Sequence, residues 1–122
     1  MKPYLELPEL AEIVLEESWV RGIVAERGVV RFDVEFVLTE RHPAYHPPLP
    51  DELFCYHRGT LMISGVTRSV WAAQGATPAN DANDEADFGH IDALTWDAAQ
   101  VVLEGEWGQL ELDATSIQVT LS

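Results

Sequence analysis

The chain has 122 residues, with 21 acidic and 7 basic side chains and a formal net charge of −14. A surface this acidic repels nucleic acid phosphates and anionic lipids, so we expect neither nucleic acid nor membrane binding. The charge favours a basic protein or a cation as partner, although solubility alone is the commoner reason for such an excess of acids.

A single domain spanning residues 1–122 is expected from this length, and 47% hydrophobic residues suffice for an ordinary core. The only cysteine, Cys55, excludes an internal disulfide. The first residues contain no apolar signal region, and no run approaches the roughly 18 apolar residues of a membrane span. We therefore expect a cytoplasmic protein.

Alternating apolar and polar residues predict antiparallel strands from the N-terminal quarter onward. Pro8 to Val14 has the features of a short helix, although Ile13 to Glu17 would equally begin a strand. Trp19 to Ala25 and Val30 to Leu38 are predicted strands joined by a tight turn. Only Val37 breaks the alternation, because it is apolar at a position that faces outward.

The rest of the chain predicts more short strands and two long loops. Four prolines stiffen the loop from Glu40 to Asp51, and Asn, Asp and Ala dominate the loop from Gln74 to Asp87. Further strands are predicted at Leu53 to His57, Thr60 to Ser64, Val66 to Ala73, His90 to Trp96, Val101 to Glu106, Leu110 to Asp113 and Ile117 to Leu121.

This pattern indicates an all-β fold. Eight or nine short strands with frequent turns are typical of a single-domain antiparallel β-sandwich, with a β-barrel as the alternative. The chain has no βαβ alternation and no glycine-rich phosphate loop, which argues against dinucleotide-binding and P-loop folds.

His42, His46, Cys55 and His57 bring potential metal ligands into one short stretch, and zinc takes donors of these types. Cys55 and His57 are two apart on a predicted strand and share a face. His42 and His46 lie in the proline-rich loop and reach them only if that loop folds over the strand. The spacing matches no specific zinc motif, and free cysteine is commonly a small buried hydrophobe. We favour packing without an ion or cofactor; Zn²⁺ at these four residues is the alternative.

A nucleophilic role for Cys55 is not expected, since its acidic surroundings do not stabilise a thiolate. His90 and Asp92 would share a strand face as a general-acid pair. The sequence places no nucleophile or second carboxylate beside them, so a structural ion pair is the commoner reason for this pattern.

The second long loop alternates oxygen-bearing side chains as calcium loops do. Asp81, Asn83, Glu85 and Asp87 recur at every second position, but alanine stands where a calcium loop needs glycine. A solvated acidic loop is the simpler interpretation, and a weak divalent-cation site is the alternative.

Aromatic residues on strands usually fill cores. Trp107, near a predicted hairpin tip, and Tyr45, among prolines, are predicted to be exposed, and both residue types are frequent interface anchors. The predicted partner-binding residues are Tyr45, Trp107, Asp81, Asp84, Glu85 and Asp87.

Three runs, HPAYHPP, FCYHRG and LEGEWGQLELDA, resemble small bacterial proteins that have no assigned activity. The resemblance extends over much of the chain. It implies a bacterial cytosolic origin and transfers no catalytic or binding residue.

We expect a non-enzymatic acidic module that contacts another macromolecule, for example an immunity or inhibitor protein that neutralises a basic toxin or nuclease. The alternatives are a small metal-binding protein or metal-dependent enzyme at the His/Cys cluster, and a small-molecule binder in a barrel mouth. Exposed edge strands would also allow a homodimer.

Overall fold

Two antiparallel β-sheets pack against each other in the computed structural model, which describes residues 1–72, 79–80 and 86–122. Its strands are β1 (Lys2–Pro3), β2 (Ile13–Glu26), β3 (Val29–Leu38), β4 (Cys55–Ser64), β5 (Arg68–Ala72), β6 (Ala79–Asn80), β7 (Ala86–Asp87), β8 (Ile91–Trp96), β9 (Gln100–Gly105), β10 (Gly108–Asp113) and β11 (Ser116–Leu121). One sheet has the order β1-β8-β9-β10-β5, and the other has the order β11-β4-β3-β2. The sheets are not closed into a barrel, so the predicted sandwich is confirmed and the barrel alternative is wrong.

The core lies between the sheets and is built from the alternate positions of each strand. β3 buries Val30, Phe32, Val34 and Phe36 on one face, which confirms the alternation predicted for this segment. Phe32 meets the indole of Trp107 from the opposite sheet in an edge-to-face contact, with 5.2 Å between ring centroids. These contacts fix the spacing of the two sheets.

A bent two-stranded ribbon belongs to both sheets. β4 pairs with β11 in one sheet, and their continuations β5 and β10 pair in the other. The chain changes sheet at residues 65–67 and 114–115, where Thr67 N donates to Asp113 O and Thr115 N donates to Ser64 O. Gly65 sits at this bend with φ +66, where a Cβ atom would overlap the Thr115 hydroxyl. The ribbon therefore turns a corner that only glycine allows.

A bulge interrupts the pairing of β2 with β3. Val14 pairs with Val37 and Trp19 pairs with Glu35, so residues 15–18 of β2 face the single residue Phe36. Ser18 is fully buried there; its hydroxyl donates to Val14 O at 2.7 Å and accepts from Val37 N at 2.9 Å. One hydroxyl thus satisfies two backbone groups that the bulge removes from the ladder.

Ser18→Ala is expected to destabilise the fold by about 1–3 kcal/mol, because it removes the hydrogen-bond partner of the buried Val37 N–H and of the partly buried Val14 carbonyl. Urea unfolding followed by circular dichroism measures this loss. Ser69→Ala, at an exposed position of β5, is the matched control and should change stability by less than about 0.5 kcal/mol. Equal stability of the two variants would contradict the role given to Ser18.

The N-terminal segment folds as turns, so the predicted helix from Pro8 to Val14 is wrong. A short 3-10 helix covers Tyr4–Glu6, and the N–H groups of Leu7, Leu10 and Ile13 each bond the carbonyl three residues earlier. Leu10 and Ile13 are fully buried at this spacing, and β2 begins at Ile13. The alternative that a strand starts here is confirmed.

Tyr4 anchors this segment to β2. Its ring is buried, and its hydroxyl accepts a hydrogen bond from Leu15 N at 3.3 Å. Burial, reinforced by a hydrogen bond to the Glu16 carboxylate, raises the pKa of the Tyr4 phenol above its usual range. The folded protein therefore keeps this phenol protonated at a pH where the unfolded chain ionises it.

The stability contributed by Tyr4 is expected to be fully present below about pH 10 and to be lost as pH rises further, because its folded pKa is raised. Urea unfolding of the wild type and of Tyr4→Phe at pH 8, 10 and 11 tests this. The stability gap between the two proteins should narrow with rising pH, since the phenylalanine does not ionise. Parallel pH profiles would contradict it.

Two further strand predictions need correction. Leu53 to His57 and Thr60 to Ser64 were predicted as separate strands, whereas β4 pairs without a break along β3 through Arg58 and Gly59. The loop predicted from Gln74 to Asp87 contains a short antiparallel pair, in which Ala79 faces Asp87 and Asn80 faces Ala86. In the described part of the chain, no helix is long and apolar enough to cross a membrane.

Candidate functional site

A row of apolar side chains crosses the outer face of the four-stranded sheet. Val14, Val37 and Tyr56 lie side by side on β2, β3 and β4 in the strand register. An outer sheet face is usually polar, as it is further along β3 where Asp33 and Glu35 occupy it. The outer face of this sheet is therefore apolar at the end that carries this row and charged further along β3.

The proline-rich segment that follows β3 is held by a chain of turns. His42 N donates to Thr39 O, Tyr45 N donates to His42 O, and Glu52 N donates to Leu49 O. The segment is also tied to the start of β2, because Thr39 N donates to Glu12 O at 3.1 Å. These bonds bring the segment alongside the apolar row.

The segment and the apolar row enclose an open groove with a volume of about 240 Å³. Its apolar lining comes from Val14, Val37, Leu38, Tyr45, Pro48, Leu53, Phe54 and Cys55. Leu53 is 86% exposed and Phe54 is 36% exposed, and the Phe54 ring stands edge-to-face with Tyr56 at 6.2 Å. Glu17 and Glu40 also line the groove. The result is a half-open apolar surface with carboxylates at its margin.

The other end of the same face carries paired charges. Glu35 Oε1 lies 2.9 Å from Arg58 Nε and 3.5 Å from Arg21 Nη2, and Arg31 Nε lies 3.4 Å from Asp33 Oδ1. Three of the seven basic residues are thus placed next to acids at this end of the face. Two carboxylates, those of Glu35 and Asp33, therefore offset part of the positive charge of these three arginines.

The His/Cys stretch packs together through its backbone. The proline-rich segment does fold over β4, as the zinc interpretation required, because His46 N donates to Cys55 Sγ at 3.4 Å. Cys55 itself is 1% exposed and lies in the core. His57 shares its strand face, two positions further along β4. The contact between segment and strand therefore uses a main-chain N–H of His46, not its imidazole.

The three imidazoles of this stretch bond to nearby main-chain atoms. His42 Nδ1 accepts from Ala44 N, while the Nδ1 atoms of His46 and His57 each lie 3.0 Å from the carbonyl of the next residue and donate to it. Within residues 1–72, 79–80 and 86–122, no three His, Cys, Asp or Glu side chains are grouped closely enough to hold a metal ion. Zn²⁺ at these residues therefore has no assembled ligand set in the described part of the chain.

Trp107 is not the exposed interface anchor that its position near a hairpin tip predicted. Its ring is only 2% exposed, and its Nε1 donates to His90 O at 3.2 Å. The indole folds back over Gly105, where a Cβ atom would overlap the ring. The prediction was wrong because glycine before the turn lets the ring pack inward. Tyr45, the other predicted anchor, is half-buried and lines the groove.

His90 does not form the predicted pair with Asp92. Its Nδ1 donates to Ser18 O at 2.7 Å, and its ring lies 3.9 Å from that of Trp19. Asp92 is exposed and sits at an irregularity in the pairing of β8 with β9. His90 thus holds the bulge of β2 against the opposite sheet, which is a structural role.

The acidic loop lies largely outside the described residues. Asp81, Asn83, Asp84 and Glu85 fall there, and only the backbone of Asp87, in β7, is described. The predicted cation site and the predicted acidic contact surface at these residues stay predictions.

No protein-family model matches this chain, and comparisons with curated proteins and with solved structures gave no match. The resemblance of three sequence runs to small bacterial proteins stays a prediction. Any assignment of function has to come from the contacts and charges of the chain itself.

The sequence contains one signal of the groove. Val37 was the only apolar residue at an outward position of its strand, and it is buried because the proline-rich segment adjoins it. Leu53 and Phe54 were predicted to be strand residues, whereas they precede β4 and stand at the groove. Placing them needed the path of the preceding loop.

Cys55 is expected to react with a thiol reagent about 100-fold more slowly in the folded protein than in urea, because the proline-rich segment must open first. Absorbance after addition of an aromatic disulfide reagent follows the reaction. Ser69→Cys combined with Cys55→Ala provides an exposed control thiol. Equally fast labelling of the two folded proteins would show that the segment does not cover Cys55.

Proposed function

We propose that this protein is a non-enzymatic binding module that holds a basic, partly apolar segment of another protein in the groove beside the proline-rich segment. The observation that carries the proposal is the exposure of Leu53 and Phe54 at an apolar groove with Glu17 and Glu40 at its margin. Contiguous apolar surface rimmed by polar groups is typical of a protein contact site.

The apolar part of the groove supplies a surface on which affinity can build. Tyr45 and Phe54 line it with aromatic rings, and aromatic side chains are common hot spots of protein interfaces. Pro48 and the turns around Tyr45 and His42 restrain the groove wall before any partner arrives. A restrained surface loses little conformational entropy on binding, which favours affinity.

The charge of the protein favours a basic occupant. Glu17 and Glu40 stand at the groove, and the chain as a whole carries −14. An acidic field accelerates association with a positively charged partner and disfavours acidic ones. An apolar side chain flanked by lysines or arginines matches both features of the groove.

A protein that inhibits a basic toxin or nuclease is one form this module would take, since such partners carry positive surfaces around their active sites. Catalysis forms no part of the proposal. The only thiol, Cys55, is buried and bonded to a main-chain N–H, and His90 is bonded to Ser18 O.

A peptide that alternates lysine and leucine is the probe for this proposal, with glutamate–leucine and lysine–serine peptides as controls. We expect the lysine–leucine peptide to perturb the amide NMR signals of residues that line the groove. Its binding should weaken with added salt, because charged contacts are screened. Comparable binding of the glutamate–leucine peptide would contradict the assigned charge preference.

Leu53→Asp combined with Phe54→Asp should weaken lysine–leucine binding about tenfold or more, because it removes the apolar contact surface. The matched control is Val70→Asp, which changes an exposed apolar residue on β5 in the other sheet. Isothermal titration calorimetry compares the affinities. An equal effect of the control would mean that the peptide binds elsewhere.

The carboxylates are tested separately. Glu17→Lys combined with Glu40→Lys is expected to lower the affinity and flatten its salt dependence, whereas Asp92→Lys on β8 should do neither beyond the change in net charge. If the change per reversed charge is the same in the double variant and in Asp92→Lys, only the overall field of the protein attracts the peptide and the groove is not its site.

A further inference from the structure

The last strand of the chain differs in charge from every other long strand. β11 has the sequence SIQVTL and carries no charged side chain. Each other strand of five or more residues contains at least one arginine, aspartate or glutamate. In a protein with a net charge of −14, a neutral strand at the edge of a sheet stands out.

β11 is also an edge strand, with β4 as its one hydrogen-bonded neighbour among the described residues. Ser122 N donates to Arg58 O, and the ladder pairs Thr120 with Thr60 and Gln118 with Met62. Because hydrogen bonding alternates along an antiparallel strand, the main-chain groups of Ile117, Val119 and Leu121 point away from β4. These are the groups that a further strand would meet.

The other described edges carry features that oppose pairing with a further strand. β1 has two residues, Lys2 and Pro3, and β5 is short and begins with the exposed Arg68. β2 has two irregularities in its register, carries Glu16 and Glu17, and is bonded at Val20 by the segment before β8. Short length, charge, proline and bulges are the usual protection of natural edge strands. β11 has six residues and contains no charge, no proline and no irregularity in its pairing with β4.

The side chains of β11 fit a partner of the same kind. Ile117, Val119 and Leu121 pack against the core yet stay half-exposed, and Gln118 and Thr120 are exposed and neutral. The net charge of −14 disfavours the approach of a second copy of this chain over its acidic surface, because like charges repel. When two β11 strands meet, no carboxylate side chain of one strand faces a carboxylate side chain of the other, because β11 contains neither Asp nor Glu.

We propose that β11 pairs antiparallel with β11 of a second copy, joining two four-stranded sheets into one across a two-fold axis. With Val119 on the axis, Ile117 of each copy faces Leu121 of the other, and about six main-chain hydrogen bonds form. Gln118 of each copy then lies opposite Thr120 of the other on the outer face. The half-exposed apolar residues become buried across the joint.

Sedimentation velocity and light scattering from about 1 μM to about 1 mM test this pairing, since an edge contact of this size forms a concentration-dependent dimer. The expected result is a rise from the monomer mass of 13.6 kDa to twice that value. A monomer throughout this range would overturn the proposal. So would a dimer that is unaffected by changes in β11.

Gln118→Glu combined with Thr120→Glu is expected to abolish the dimer, because it sets like charges opposite each other across the axis. Both positions are exposed, so the fold should be retained, as circular dichroism will show. Val70→Glu combined with Ala72→Glu adds the same two charges, at the same spacing, at exposed positions on the outer face of the β5 edge. That matched control should dimerise like the wild type.

A charge swap separates the pairing from a general effect of added charge. A variant with Gln118→Lys and Thr120→Lys should be monomeric alone and should form a heterodimer when mixed with the Glu variant, because opposite charges then face each other. Native mass spectrometry resolves the two chains. Val119→Pro is a further test, since it removes only an outward N–H and should block pairing. Failure of the mixture to associate, or a dimer that persists in the Val119→Pro variant, would exclude this register.

Discussion

The fold depends on the ribbon that β4–β5 forms with β10–β11, because both of its chains run from one sheet into the other and pair with each other in each sheet. Strands that switch sheets through a bulge are the usual way to turn a corner in a sandwich. Here the register shifts by one residue between the pair Arg68–Asp113 and the pair Ser64–Ser116. Gly65 and Thr115 meet at that shift, so a bulkier residue at position 65 would push the two halves of the ribbon apart.

The same ribbon separates two surfaces of different character on one sheet. β4 is longer than β11, and its residues from Cys55 to His57 extend beyond the hydrogen bond from Ser122 N to Arg58 O. The groove lies at this unpaired end, near the proline-rich segment. The uncharged edge strand β11 lies along the other end of β4, with which it pairs. Between them, Glu35 lies within ion-pair distance of both Arg21 and Arg58. Charge, apolar area and free main-chain groups are therefore placed at distinct positions along the sheet.

Most strands of this fold can be predicted from the sequence, because alternation on a half-buried strand is a local property. The segment from Val30 to Leu38 shows this, since its inward residues are all buried.

What the sequence does not show is the effect of contacts with residues that are distant in the chain. Trp107 is buried by Phe32 and Trp71, which are remote in the chain. At the bulge of β2, the Ser18 hydroxyl accepts from Val37 N and the Ser18 carbonyl accepts from His90 Nδ1. Turns replace the helix expected from Pro8, because Leu10 and Ile13, three residues apart, can both be buried by successive turns as well as by an α-helix. The same holds for the candidate site. The apolar outward residue Val37 indicates it, but the groove exists only because the proline-rich segment runs beside that residue.

The two proposed contacts are compatible, and their geometry sets what each can do for the other. Val119 pairs with Leu61, six residues along β4 from Cys55, which is roughly 20 Å at the rise of a strand. In a two-fold dimer centred on Val119, the two grooves would therefore lie roughly 40 Å apart along the strand direction. A short peptide cannot span that distance, so its affinity for one groove is independent of dimerisation. A large partner, or one with two basic segments at this separation, would engage both grooves and gain from their high effective concentration. Pairing of β11 then determines how many grooves one assembly presents, while each groove determines which kind of segment is bound.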